Sequence, residues 1–275
     1  MKDKISLAGD LGSGKSTLSK ILIDRLGMEY YSTGIICREV AARHGMTVVE
    51  MNQHMETHPE LDREIDDGLA ALSELDRPLL IDSRMAWHFT KGTFRVYLST
   101  ELLTSAARIH AAGRAEEHFG SVEETAEKIR TRQESESKRY REFYGVDNLN
   151  LFNYDLVIDT THATPDEVAD CLCAAFGAWQ NDRNYRGCYL SPLRISYPDE
   201  ETGDTAKSVA LSEEIEAGAR PEVEVFQDGH DFCIHGDPTL ALAYALTDVL
   251  YVPCRLVEAD EADRSRDYAP MCNSL

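Results

Sequence analysis

The chain of 275 residues has no CxxC pair, no apolar run of membrane-spanning length, no internal repeat and no low-complexity tract. Each absence removes a class of protein. The seven cysteines, Cys37, Cys171, Cys173, Cys188, Cys233, Cys254 and Cys272, are odd in number and scattered. Neither a disulfide framework nor a zinc site built on closely spaced ligand pairs is expected, and the usage fits reduced thiols in a cytoplasm. Without a stretch of about 20 apolar residues there is no candidate membrane span. The opening Met1-Lys2-Asp3-Lys4 is charged, but the apolar run behind it is short and leads into a glycine-rich loop, so it does not read as a signal peptide. Positive charge is scarce too: 28 Lys and Arg face 49 Asp and Glu, a net charge of -21. Extended nucleic-acid and anionic-membrane surfaces depend on clustered Lys and Arg, so the expected partner is a small anion held locally.

What is present begins with Gly9-Asp10-Leu11-Gly12-Ser13-Gly14-Lys15-Ser16, a complete GxxxxGK[ST] phosphate-binding loop. It follows the apolar strand Ile5-Ser6-Leu7-Ala8 and precedes an amphipathic helix opening at Ser16-Thr17-Leu18, the context that phosphate binding requires. The glycines permit backbone angles that aim several N–H groups at one phosphate. Candidate nucleotide contacts are therefore Gly9, Gly12, Ser13, Gly14, Lys15, Ser16 and Thr17. Lys15 is placed to reach the β- and γ-phosphates and the Ser16 hydroxyl to ligate magnesium. The ligand class is a nucleoside triphosphate, with ATP and Mg2+ as the expected pair.

Strand-like runs at 4–8, 29–32, 78–82, 93–98 and 155–158 alternate with helical segments at 16–26, 34–44, 59–74, 101–112, 122–143 and 165–176. That alternation predicts an α/β domain, residues 1–178, with a five-stranded parallel sheet covered by helices. The polar, aperiodic stretch 180–187 reads as a linker into a smaller α+β domain, residues 188–260. There, runs at 221–227 and 231–235 form a hairpin across Asp228-Gly229, followed by a helix at 238–247 and a strand at 249–253. Residues 180–275 carry eight Lys and Arg against nineteen Asp and Glu, while cations concentrate between Arg108 and Arg141 of the first part. That run reads equally as a functional patch or as a solvated helix laced with i,i+4 pairs such as Glu134 and Lys138.

Three further motifs stand beside the loop: Ser32-Thr33-Gly34-Ile35-Ile36-Cys37-Arg38, Leu80-Ile81-Asp82-Ser83-Arg84-Met85-Ala86-Trp87, and the stretch from Arg130-Thr131-Arg132 through Ser135-Glu136 and Arg139-Tyr140 to Tyr144-Gly145. Together they resemble the cytidylate kinase family, in its short archaeal-type and cytidylate-kinase-like branch, over about residues 3–176. The resemblance implies a P-loop nucleoside-monophosphate-kinase fold and ATP-dependent phosphoryl transfer to a nucleoside monophosphate, CMP or dCMP. On it, Gly34, Arg38 and Arg84 hold the acceptor monophosphate, and Asp82 joins Ser16 at magnesium through water. Arg108, Arg114, Arg130 and Arg132, on a lid-like stretch, join Lys15 in stabilising the transferring phosphoryl group. Arginine suits these places because a planar guanidinium binds two phosphate oxygens at once.

Each residue also has a plainer reading: Arg38 paired with Glu39 or Glu60, Asp82 capping the next turn, and Tyr140, Phe143 and Tyr144 packing at helical spacing. Asp62 and Asp66 lie in the acceptor-side helices as candidates to accept from an exocyclic amine. Where relatives carry an Arg-Glu-Gly-type lid sequence, this chain reads Gly113-Arg114-Ala115-Glu116.

Residues 190–258 resemble the ParB- and sulfiredoxin-like superfamily in their order of strand, hairpin, short motif, helix and strand. In the motif His235-Gly236-Asp237-Pro238-Thr239, however, Thr239 replaces the phosphate-binding arginine and Asp237 would repel a phosphate. The expected role there is regulation or assembly, through a protein partner or self-association. Two other readings of the whole chain stay open: a non-catalytic ATP-binding switch, and a kinase of another small phosphorylated metabolite.

Overall fold

A strand covered on both faces has no solvent side to mark with polar residues, and β1 (Lys4–Gly9) is buried along its whole length. In the computed structural model, which describes residues 3–46, 59–112, 121–198 and 203–270, it lies between β3 (Leu79–Asp82) and β4 (Thr93–Ser99), parallel to both. With β2 (Glu29–Ser32) beyond β3 and β5 (Leu156–Asp159) beyond β4, five parallel strands run in the order β2-β3-β1-β4-β5. The connecting helices are α1 (Lys15–Leu26), α2 (Thr33–Arg43), α3 (Pro59–Ala71), the short α4 (Ala86–Phe89), α5 (Leu102–Ala112), α6 (Val122–Tyr144) and α7 (Pro165–Asn181).

The pleat sorts the core. Ile5, Leu7, Val96 and Ile158 pack against Leu18 and Leu22 of α1 and Leu172 and Phe176 of α7. On the opposite face Leu79 and Ile81 meet Ile36 and Val40 of α2 and Ile65 and Leu69 of α3. As Thr164-Pro165-Asp166-Glu167 predicts, α7 opens with a capping box in which Thr164 and Glu167 satisfy each other's backbone N–H groups. It runs past residue 176 to Asn181, because Trp179 stacks on Phe176 and packs against Phe94 with ring centroids 5.9 and 5.3 Å away.

The sheet does not end at β5. Only residues 182–186 separate α7 from β6 (Gly187–Leu190), which pairs parallel to β5 with Leu156 opposite Gly187 and Ile158 opposite Tyr189. Next to it come β10 (Val252–Leu256), β8 (Val223–Asp228), β9 (Asp231–Ile234), β7 (Ile195–Pro198) and β11 (Tyr268–Pro270), giving one sheet of eleven strands among the described residues. The expected hairpin is β8–β9, turning at Gly229 with a φ of 59°.

Three helices accompany these strands: α8 (Thr205–Glu216), α9 (Thr239–Ala245) and α10 (Glu261–Arg264). The periodicity of the sequence does not announce α8, since its buried positions include Ser208 and Ser212 alongside Ile215. One core joins the two parts, with Ala8, Tyr97, Tyr154 and Val157 packed among Leu190, Val225, Ile234, Tyr244 and Val252. Among the described residues no helix is long and apolar enough to cross a membrane.

Candidate functional site

The loop between β1 and α1 is shaped by its glycines. Gly9, at φ 147°, and Gly12, at φ 74°, occupy backbone angles where a side chain is strained, and a Cβ would collide with Leu98 at the first and Ser105 at the second. Ser13 is buried, and its hydroxyl donates to the Asp10 carbonyl at 2.8 Å. Gly14, at φ 85°, caps α1 without a side chain. The leading amides of α1 therefore have no side-chain acceptor, which is the condition for anion binding at a helix start. Ser16 and Thr17 are exposed on that first turn.

Lys15 folds its ammonium back onto the loop. It donates to the carbonyls of Gly9 and Asp10 at 2.8 and 2.7 Å and to the Ser13 hydroxyl at 3.3 Å. Burial pulls its pKa down to about 8; the carboxylates of Asp82 and Asp10 favour its charge, and the guanidinium groups of Arg84 and Arg132 oppose it. The loop opens onto a cleft of about 430 Å³ whose far wall includes Arg108 and Ile109 of α5 and the β5–α7 connection at Thr160 and Ala163. That is the size range of small-molecule sites. Arg108 is engaged on that wall, donating to the carbonyls of Thr160 at 2.7 Å and Thr161 at 3.1 Å.

The connection after β3 brings in Arg84. Ser83 N–H donates to the Leu7 carbonyl at 3.2 Å, tying this connection to β1. The largely buried Arg84 side chain pairs with Glu136 of α6, and burial lowers its pKa. The other Glu136 oxygen accepts from Arg132 Nε at 3.0 Å, so one carboxylate holds two arginines from two elements. Gln133, Glu136 and Tyr140 share a face of α6 by their spacing of three and four residues. From this face Gln133 donates to Asp10 at 3.2 Å, and the same carboxylate also accepts from the Tyr97 hydroxyl at 2.7 Å and Thr100 N–H at 2.9 Å. Asp82 ends β3 half-buried and accepts from the Tyr30 hydroxyl at 3.0 Å, and burial beside that carboxylate pushes Tyr30 up to about 12.

The remaining expected residues are more dispersed. Arg38 is exposed on α2 with its guanidinium above Gly34, where a Cβ would make an ordinary 3.6 Å contact. The protein's own packing therefore does not require glycine at 34. Arg130 is exposed and pairs with Glu127 at 3.2 Å, the plain surface reading of its charge. Lys138 lies 3.8 Å from Glu142, not on Glu134. Arg114 and the side chain of Asp62 lie outside the described residues. Asp66 accepts from the Tyr144 hydroxyl at 2.8 Å, while Tyr144 packs on Phe89 and His88, as its helical spacing predicts. Sequence reasoning missed Asp10, Glu136 and the Thr160–Thr161 pair. Asp10 sits at an unspecified position of the loop motif, and Glu136 falls inside a motif whose pattern gives it no role.

Comparison with known proteins identifies the family. The model of the cytidylate kinase-like family matches residues 4–162. A cytidylate kinase of Haloquadratum walsbyi is 35% identical over 178 residues, covering 64% of this chain and 90% of that one. A cytidylate kinase of Halorubrum lacusprofundi is 36% identical with the same coverages. An S-adenosylmethionine-dependent nucleotide dehydratase of Lacinutrix mariniflava is 37% identical over 173 residues, 62% of this chain but 35% of that one. A solved structure from Eubacterium ventriosum shares the fold, with a TM-score of 0.51 at 13% identity, over 64% of this chain and 99% of its own. The loop, the cleft it opens and the family match together make this chain a member of the cytidylate kinase-like family, a phosphotransferase of the nucleoside monophosphate kinase type.

Proposed function

We propose that the chain transfers the γ-phosphoryl group of ATP to CMP or dCMP. One observation carries the reading: the phosphate loop, with Lys15 and the uncapped start of α1, opens onto a cleft of about 430 Å³ that Arg84 and Arg108 also line. Cations lining a cleft of this size at a helix start suit a bound polyphosphate. In this reading the loop amides and Lys15 take the β- and γ-phosphates, the ammonium leaving the Gly9 and Asp10 carbonyls to do so. Arg84 and Arg38 hold the acceptor phosphate, Gly34 letting the backbone approach it, so that an acceptor oxygen faces the γ-phosphorus in line. Arg132, with Arg114 on the lid side, stabilises the charge spread over the transferring group, while Arg130 is left to its surface pair with Glu127. The contacts of Arg108 with Thr160 and Thr161 favour a role on the nucleoside side of ATP. No covalent nucleophile is needed.

The Ser16 hydroxyl and the Asp82 carboxylate are hard oxygen donors that suit Mg2+, which screens phosphate charge when bound. The pyrimidine acceptor rests on the relatives named cytidylate kinase, 90% of whose length is matched by this chain. The dehydratase name describes a protein of which the match spans 35%, so that activity is not carried over. Residues 188–260 are read as an accessory unit built onto the kinase sheet, open to a protein partner or self-association. The test is a coupled ADP-release assay with ATP, Mg2+ and a panel of nucleoside monophosphates and other small phosphorylated metabolites. CMP or dCMP is expected to give the highest kcat/KM; a preference of tenfold or more for another phosphorylated acceptor overturns the pyrimidine reading.

A further inference from the structure

We propose that Arg194, which lies outside the kinase family match, is a positioning residue for the ATP site, acting through Asp159 on the loop that walls the donor cleft. The proposal rests on the reading of that cleft as the ATP site. Asp159 ends β5 and is 1% exposed, and Arg194, on the turn between β6 and β7, is 8% exposed. The guanidinium Nε lies 3.5 Å from Asp159 Oδ1, while Arg194 Nη2 donates to the His230 carbonyl at 3.2 Å, so the arginine is anchored from its own side. The same Asp159 oxygen accepts from the Thr161 hydroxyl at 2.6 Å and Thr161 N–H at 3.2 Å.

The carbonyls of Thr160, which lines the cleft, and of Thr161 fix Arg108. The Thr160 hydroxyl bonds that of Thr100 at 2.6 Å, and Thr100 N–H donates to Asp10 inside the phosphate loop. An ion pair from Arg194 to Asp159, followed by hydrogen bonds along the 159–161 segment, thus leads from the strands beyond β5 to both ends of the nucleotide cleft. Burial alone pushes the Asp159 carboxyl upward, and Arg194 is the cation that opposes this. Without the guanidinium, a buried lone carboxylate takes up a proton, and its hold on Thr161 weakens.

The test uses the full-length chain, with ATP binding measured by titration and turnover measured with ATP and CMP. Arg194→Met is expected to raise Kd and KM for ATP about tenfold while KM for CMP stays within twofold, the size of coupling that buried networks carry. Arg194→Lys, which keeps the charge, is expected to recover part of the ATP affinity. Should Arg194→Met fail to fold, the pair Asp159→Asn with Arg194→Met buries no lone charge and carries the test with the same expected loss of ATP affinity. An unchanged ATP affinity in the folded variant, or equal rises in both KM values, overturns the proposal. A wild-type chain that fails to bind ATP overturns the donor-cleft reading itself and the positioning role with it.

Discussion

Lys15 concentrates the chemistry of the site in one side chain. Replacing it with alanine removes three hydrogen bonds internal to the loop and no core contact. Lys15→Ala is expected to keep its circular dichroism spectrum while kcat/KM for ATP falls at least about a hundredfold, the usual loss for a charge-stabilising group. Because burial pulls the ammonium down to about 8, it is half deprotonated near that pH in the free protein. As pH rises past this point the phosphates lose their cation. A log kcat/KM profile for ATP should therefore bend downward near pH 8; a flat profile to pH 10 would show that Lys15 does not set it. Glu136 gives a separate test, since Glu136→Gln leaves Arg84 and Arg132 facing each other without the shared carboxylate. We expect kcat to drop about tenfold with ATP affinity within threefold, measured by steady-state kinetics and ATP titration.

At the level of elements, the phosphate loop and the five parallel strands were legible because glycines at special angles and doubly covered strands leave direct marks in the sequence. The same is true of the α7 start. Strand β6 was not legible, because Gly187-Cys188-Tyr189-Leu190 is short and follows a polar turn, and only its pairing with β5 identifies it. Helix α8 escaped for the opposite reason: serines occupy its buried positions and erase the apolar stripe. The site was half legible. Motif residues gave Lys15, Ser16 and Arg84, but the carboxylates that hold the cations, Asp10 and Glu136, act through contacts between distant segments that spacing does not encode. A similar long-range contact joins the β8–β9 hairpin to the segment after α6. Gln227 donates to the Leu149 carbonyl at 2.9 Å and accepts from Leu151 N–H at 3.3 Å. Losing both should cost about 1–3 kcal/mol, so Gln227→Ala is expected to lower the melting temperature by a few degrees in scanning calorimetry.

For the molecule as a whole, the core shared by Tyr97, Tyr154 and Val157 with Val225, Tyr244 and Val252 makes the C-terminal strands part of the kinase's own interior. A chain ending at Asn181 would lose β6, one of the two partners of β5, and uncover part of that core. It is expected to self-associate more than the full chain at equal concentration, which size-exclusion chromatography with light scattering would measure; identical elution behaviour and melting temperature would contradict this. Among the described residues the sheet has two borders. One is β2, four residues starting with Glu29, which Arg77 meets at 2.8 Å; the other is β11, three residues ending in Pro270, which has no N–H to offer. Both are poor templates for another strand, being short and charged or proline-ended. By contrast β5 reads Leu-Val-Ile-Asp and is buried at all four positions. The C-terminal region thus moves that border of the sheet from an apolar, fully buried strand to a short, proline-ended one.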